Sequence, residues 1–279
     1  MSEERANRLG EYLRARRGLV TPEQAGLPVG GNRRVPGLRR EEVALLAGIS
    51  GDYYLRLERG RDKNPSAQVL GSIARVLQLG ELDHEYLLGL ATTRARPRRR
   101  PRPERVPARL HQLLASVGVP AFVEGRAFDV LAANDLAVAF SPRLRPGNNR
   151  LRSLMLDPEE REFHQNWEAA TEGLVAALRG SVGAEVEDAR FVELVGELAL
   201  TSDRFRDLWG RHDVRVLEGG SAIVNHPVVG ELQLHRDKLP VDGVLLVLYY
   251  ADRGSPSDEK LRMLASLTDP GRAEEPAPR

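Results

Sequence analysis

Apolar residues recur at helical spacing through residues 1–93. Leu9, Tyr12 and Leu13 mark a first helix, and Val43, Ala44, Leu46 and Ala47 a second. Tyr54 and Leu57, flanked by Tyr53, mark a third. Val69, Ile73, Val76 and Leu77 line a fourth after Pro65-Ser66, and Leu82, Tyr86, Leu87 and Leu90 a fifth. The stretch GLRREEVALLAGISGDYYLRLERG (37–60) could be one amphipathic helix but for Gly48 and Ser50 in its middle. A helix interior loses about 1 kcal/mol for Gly relative to Ala, and Ser favours a helix start, so the break predicts a turn. Ser50 then caps a new helix that Gly60 ends. Gly51, Asp52, Leu55, Arg56 and Arg59 point away from its Tyr54–Leu57 side.

Further along, the period changes. Residues 110–117 read as a helix, and PAFVEGRAFDVLAAN (120–134) as two short strands around Glu124-Gly125-Arg126, with a helical stretch through Phe140. Helical patterns follow at 158–180, at 188–200 and through DRFRDLWGR. Residues 215–224, 229–236 and 243–250 then alternate or run apolar as strands do, before a helix near 257–267. The expected fold is an all-α five-helix domain followed by an α+β domain with an antiparallel sheet.

Composition sharpens this division. The 279 residues are 41% hydrophobic, enough for one large domain or two ordinary ones. They include no Cys, which excludes disulfides and thiolate chemistry. Residues 1–109 hold 22 Lys and Arg against 13 Asp and Glu, whereas the remainder holds 19 against 27. Such asymmetry suits a polyanion-binding module joined to an acidic one. Eight of the arginines fall in RARPRRRPRPERVPAR (94–109), where four prolines favour an extended linker. It serves either as a stiff spacer or as an arm along a phosphate backbone. The expected organisation is 1–93, a linker at 94–109, a second domain at 110–268 and a disordered tail at 269–279. No apolar run follows Met1 and no stretch is long enough to span a bilayer, so a cytoplasmic protein with no membrane partner is expected.

Two short helices at a Gly-containing turn, the second with arginines on its exposed face, match a helix-turn-helix whose second helix enters the major groove of duplex DNA. The runs LAGIS, YYLRLERG and KNPS resemble the XRE-type helix-turn-helix family, the fold of phage repressors. That resemblance puts Gly51, Asp52 and Arg56 at the base-reading positions. Arg56 is the strongest reader, because a guanidinium can bond guanine O6 and N7 together, whereas Asp52 only accepts. The resemblance also pairs Glu58 with a first-helix arginine, here Arg14. The connection before Leu38 is longer than the family's usual one and carries Arg33 and Arg34. These two, with Arg39, Arg40, Ser50, Arg59, Arg61 and Lys63, are expected at phosphates, a solvated loop being the competing explanation. Together with RRVPGLRREEVA and DYYLRLERGRDKNPS, this insertion resembles bacterial regulators whose C-terminal half is an MmyB-like ligand-binding domain.

NWEAATEGLVAALR, ARFVELVGELALTSDRFRDLWGRHDV and HPVVGELQLHRDKL carry the same resemblance in the second half, and the order of a strand pair, helices and three strands is that of a PAS-like fold. One departure is Ala133, where the family has an aromatic before Asn134. The resemblance implies a small apolar ligand, fatty-acid-like at most; with no phosphate-loop or metal-ligand motif in the chain, no cofactor and no metal are expected. Phe122, Asn134, Phe163, Trp167, Phe205 and Trp209 are candidates to line its pocket, with His212, Asn225 or His226 as polar anchors. Aromatics at helical spacing serve a core more often than they contact a ligand. The function expected is a sequence-specific transcriptional regulator, homodimeric on a palindromic operator because two-fold pairing doubles the base contacts. Two alternatives stay open. The second half could be a dimerisation or protein-interaction module alone. Ser221, Asp213 and His226 could form a hydrolase triad, although no G-x-S-x-G accompanies them.

Overall fold

The structure is a computed structural model that describes residues 3–28, 33, 35–62, 64–91, 104–182, 188–216 and 218–268. The chain forms two compact units. The first contains α1 (Glu3–Leu19), α2 (Arg40–Ala47), α3 (Gly51–Glu58), α4 (Ala67–Val76) and α5 (Glu81–Ala91). Their apolar stripes meet in one core of Leu9, Tyr12, Leu13, Val43, Tyr54, Leu57, Leu70, Ile73, Leu87 and Leu90, all buried. Gly10 of α1 lies where a Cβ would come within 2.2 Å of the Glu58 carbonyl oxygen, so the absence of a side chain lets α1 cross the end of α3. Leu46 and Leu82, expected in the core, are exposed instead. In α2 a helix of only two turns presents Val43 and Ala44 inward, which leaves Leu45 and Leu46 outside.

Helix α2 ends as the sequence requires. Gly48 adopts φ 69°, its N–H bonds the Leu45 carbonyl at 3.2 Å, and the Ile49 N–H bonds the Ala44 carbonyl at 2.9 Å. This paired closure needs a left-handed residue, which glycine supplies without steric cost. Ser50 Oγ then accepts the Tyr53 N–H at 3.1 Å and starts α3. Gly60 repeats the closure at the far end, with φ 65° and the Arg61 N–H on the Arg56 carbonyl at 2.9 Å. Residues Arg206–Arg215 also group with this unit. Val214 packs against its core, and Asp213 accepts from Arg16 at 2.6 Å.

The second unit is built from α6 (Ala108–Ser116), β1 (Ala121–Glu124), β2 (Val130–Ala133), α7 (Asp135–Phe140), α8 (Arg150–Leu156), α9 (Pro158–Phe163), α10 (Trp167–Val182), α11 (Ala189–Thr201), the start of α12 (Asp203–Gly210), β3 (Gly220–His226), β4 (Gly230–Val241), β5 (Val244–Tyr250) and α13 (Pro256–Thr268). The strands form one sheet in the order β2-β1-β5-β4-β3, every neighbouring pair antiparallel. Both faces are covered around β1. Leu110 and Leu114 of α6 pack on Ala121, Val123 and Leu246. On the opposite face, Leu136 and Phe140 of α7 and Leu261 and Leu264 of α13 pack on Phe122, Leu232 and Val247. Asp242 and Gly243, at φ 50° and 88°, make the tight turn between β4 and β5. The α+β, PAS-like expectation holds.

Several boundaries differ from expectation. The helix expected over 158–180 breaks between Phe163 and Trp167, because the backbone there pairs with the edge strand instead. His164 bridges Val224, and the Gln165 N–H bonds the Ile223 carbonyl at 3.2 Å. Strand β3 starts at Gly220 rather than at 215, and β4 runs on to Val241. Helix α6 begins inside the stretch expected as linker; residues 92–103 and the tail 269–279 lie outside the described residues. Among the described residues, no helix is long and apolar enough to cross a membrane.

Candidate functional site

In the first unit, the outer face of α3 carries exposed Gly51, Asp52, Arg56 and Arg59, while Tyr54 and Leu57 anchor its other face in the core. The Arg56 guanidinium lies over the Tyr53 ring, 5.5 Å from its centroid, a cation–π contact that holds the side chain across the helix surface. A Cβ added at Gly51 would meet nothing within 4 Å, so no packing within the protein requires glycine there. Arg39 and Arg61 are exposed at the starts and ends of the two helices. Arg34 and Lys63 lie outside the described residues.

Two of the arginines expected at phosphates have partners within the chain. Both terminal nitrogens of Arg33 bond the Glu42 carboxylate, each at 2.8 Å, and one also bonds the Gly37 carbonyl, which ties the long connection to the first turn of α2. Arg40 Nε bonds Glu58 at 2.6 Å. The other Glu58 oxygen accepts from Arg17 Nε at 2.6 Å, and Arg17 also reaches the Leu38 carbonyl at 2.7 Å. The pairing expected with Arg14 is thereby corrected: Arg14 is exposed, and Arg17, one turn beyond Leu13, is the residue on the buried stripe. Glu58 has a fully buried side chain. Burial pushes its carboxyl up, but the hydrogen bonds and charges of Arg17 and Arg40 outweigh this and hold it below the usual carboxylate range.

In the second unit a cavity of about 440 Å³ opens between α7, α8, α9, the start of α10 and the strands β3 to β5. Of the candidate pocket residues, Phe163 lines it. Phe122 and Phe205 are fully buried in packing. Asn134 caps α7, its Oδ1 accepting from Ala137 and Ala121 and its Nδ2 donating to Val119, which ties the strand pair to the helix. Trp167 donates Nε1 to the Leu154 carbonyl at 2.8 Å, with Arg161 and Arg204 over its ring. His226 accepts at Nδ1 from the Val228 and Val229 N–H groups, which leaves Nε2 to donate to the Ala139 carbonyl at 3.1 Å. Asn225 donates to the Glu162 carbonyl. Trp209 and His212 fold with the first unit, where His212 meets Tyr12 edge-on.

Sequence reasoning missed the polar wall of the cavity. Arg150 of α8 and Arg236 of β4 line it, beside Ser153, Glu160, Gln165 and Asn166. Behind them Glu124, fully buried, is ion-paired with Arg150 and with Lys238, whose Nζ lies 2.9 Å away. Burial alone would raise Glu124, but the two cations hold it below the usual range. The same burial pulls the Lys238 ammonium down to about 8 against the pull of Glu124. A signal for this wall was present: the inward alternation of Leu232 and Leu234 continues through Arg236 and Lys238.

Ser221 and His226 stand five positions apart on β3, roughly 16 Å along an extended strand and on opposite faces, so no triad assembles. Residues 106–264 match the family described as MmyB-like transcription regulator ligand binding domain, and residues 8–87 match a helix-turn-helix domain family. A comparison with curated proteins finds no match. With α2 and α3 forming the turn-linked helix pair and a ligand-binding domain covering more than half of the sequence, the chain belongs to the MmyB-like transcription regulators, DNA-binding proteins with a C-terminal ligand-binding domain.

Proposed function

We propose that α3 lies in the major groove of an operator, with Arg56 reading a guanine and Asp52 accepting from a neighbouring base, while Arg39, Arg59, Arg61 and the Ser50 end of α3 meet phosphates. The observation that carries this reading is the outward face of α3, where Arg56 is exposed while the opposite face is held by Tyr54 and Leu57. Arg33 and Arg40 act one step back, placing α2 and α3 through Glu42 and Glu58. The protein binds as a homodimer on a palindromic site, and a small molecule in the cavity of the second unit shifts its affinity for DNA. The apolar part of that molecule meets Phe140, Phe163 and Leu174.

Binding of the full chain to its selected operator and to single-base variants tests the assignment. Arg56→Ala is expected to weaken the operator by about 1–3 kcal/mol and to relax discrimination at one base pair. Arg61→Ala is expected to weaken all duplexes alike and to lower the salt slope by about one. Equal losses on every sequence for Arg56→Ala would remove it as the reader.

A further inference from the structure

The buried charges beside the cavity do not balance. Arg150 and Lys238 share the single carboxylate of Glu124. Arg236 lies two positions before Lys238 on the same face of β4, and its Nε is buried with no hydrogen-bond partner. Glu160, the other carboxylate on the wall, is already engaged by Ser141 Oγ and His164 Nε2, each at 3.2 Å. Arg143 at the rim is held by Asp157 and Glu159. Among the described residues, Glu124 and Glu160 are the carboxylates set against Arg150, Arg236 and Lys238, and the Arg236 guanidinium keeps an unused Nε donor. Arg236 is half-buried, so its charge keeps some solvent, but a buried guanidinium N–H without a partner is costly, and a planar guanidinium is met best by an oxyanion with two coplanar oxygens.

We infer that the cavity takes a monoanionic carboxylate that carries further hydrogen-bonding groups, with Arg236 as its anion anchor, rather than a neutral apolar molecule. The inference rests on the ligand-binding reading of this unit and adds the chemical class. The carboxylate supplies the missing negative charge. The body of the molecule lies against Phe140 and Phe163, and Ser153, Gln165 and Asn166 offer it hydrogen bonds. A volume of about 440 Å³ suits a compact organic acid.

The full chain, as wild type, Arg236→Gln and Arg236→Lys, is titrated calorimetrically and by thermal shift with 4-hydroxybenzoate, octanoate and the neutral amide of each. The hydroxylated acid is expected to bind and raise the melting temperature, octanoate to bind more weakly, and both amides to do neither. Arg236→Gln is expected to bind the acid about 10- to 100-fold more weakly, with Arg236→Lys between. Unliganded Arg236→Gln is expected to melt no lower than wild type, because the substitution removes a buried Nε donor that has no partner from a half-buried side chain; a misfolded variant would melt lower. Amides that bind as tightly as their acids would overturn the anionic assignment and leave the ligand-binding function standing. Tighter binding of octanoate than of the hydroxylated acid would overturn the polar body. Unchanged acid binding by Arg236→Gln, or no response to either acid, would also overturn the proposal, while operator binding would still report separately on the DNA-reading function.

Discussion

Glu58 shows how one side chain converts sequence into the placement of a reading helix. Its carboxylate, buried at the end of α3, joins Arg17 of α1 and Arg40 of α2 at 2.6 Å each. Removing one member of a buried pair leaves the others uncompensated, so Glu58→Ala is expected to cost about 3 kcal/mol of stability, measured by denaturant unfolding. The pH dependence has a definite sign. Because the folded carboxyl sits below its unfolded value of 4.5, its stabilisation is complete above that pH and is lost as pH falls through the lowered folded value. The melting temperature of the wild type is therefore expected to fall more steeply below pH 4.5 than that of Glu58→Gln; parallel curves would argue against the pair. The presence of an acid with an arginine partner was legible in the sequence, but the choice of Arg17 over Arg14 was not. A one-turn difference in position relative to Leu13 decides which arginine shares the buried stripe, and only the crossing of α1 over α3 at Gly10 fixes that stripe.

At the scale of elements, α3 combines two demands. Its ends are set by Ser50 and Gly60, and its inner face by Tyr54 and Leu57, all of which local chemistry dictates. Gly51 answers to none of these, since it has open space around it and no left-handed backbone. Gly51→Ala is expected to stabilise the free protein by up to about 1 kcal/mol while weakening operator binding, because the added methyl group meets the duplex rather than the core. Denaturant unfolding and DNA titration of the same variant check both signs; a gain in stability with unchanged binding would place the duplex away from the start of α3. The break between α9 and α10 is the opposite case. Nothing in the period of residues 158–180 announces it, because His164 and Gln165 leave the helix to pair with β3, a partner some sixty positions away in the sequence.

For the whole molecule, the proposed dimer predicts operator half-sites centred about 10 base pairs apart or a multiple of that. Sedimentation of the chain with a duplex carrying two half-sites is expected to give two protomers per duplex, and insertion of about 5 base pairs between them to abolish the tight complex. One protomer per duplex at saturation would dismiss the dimer.

Local pattern by itself determined the five helices, the Gly48–Ser50 turn, the outward position of Arg56 and the succession of a strand pair, helices and three strands. Each depends on side-chain period, caps and turn residues, which act within a few positions along the chain. Tertiary structure alone decided which cations lost their solvent and which found a carboxylate. Glu124, Arg150 and Lys238 meet from three separate elements, Arg236 is left facing the cavity, and the aromatics expected to line it went mostly into packing. Burial and charge pairing depend on distances between segments far apart in sequence, and those distances exist only once the sheet has brought the segments together.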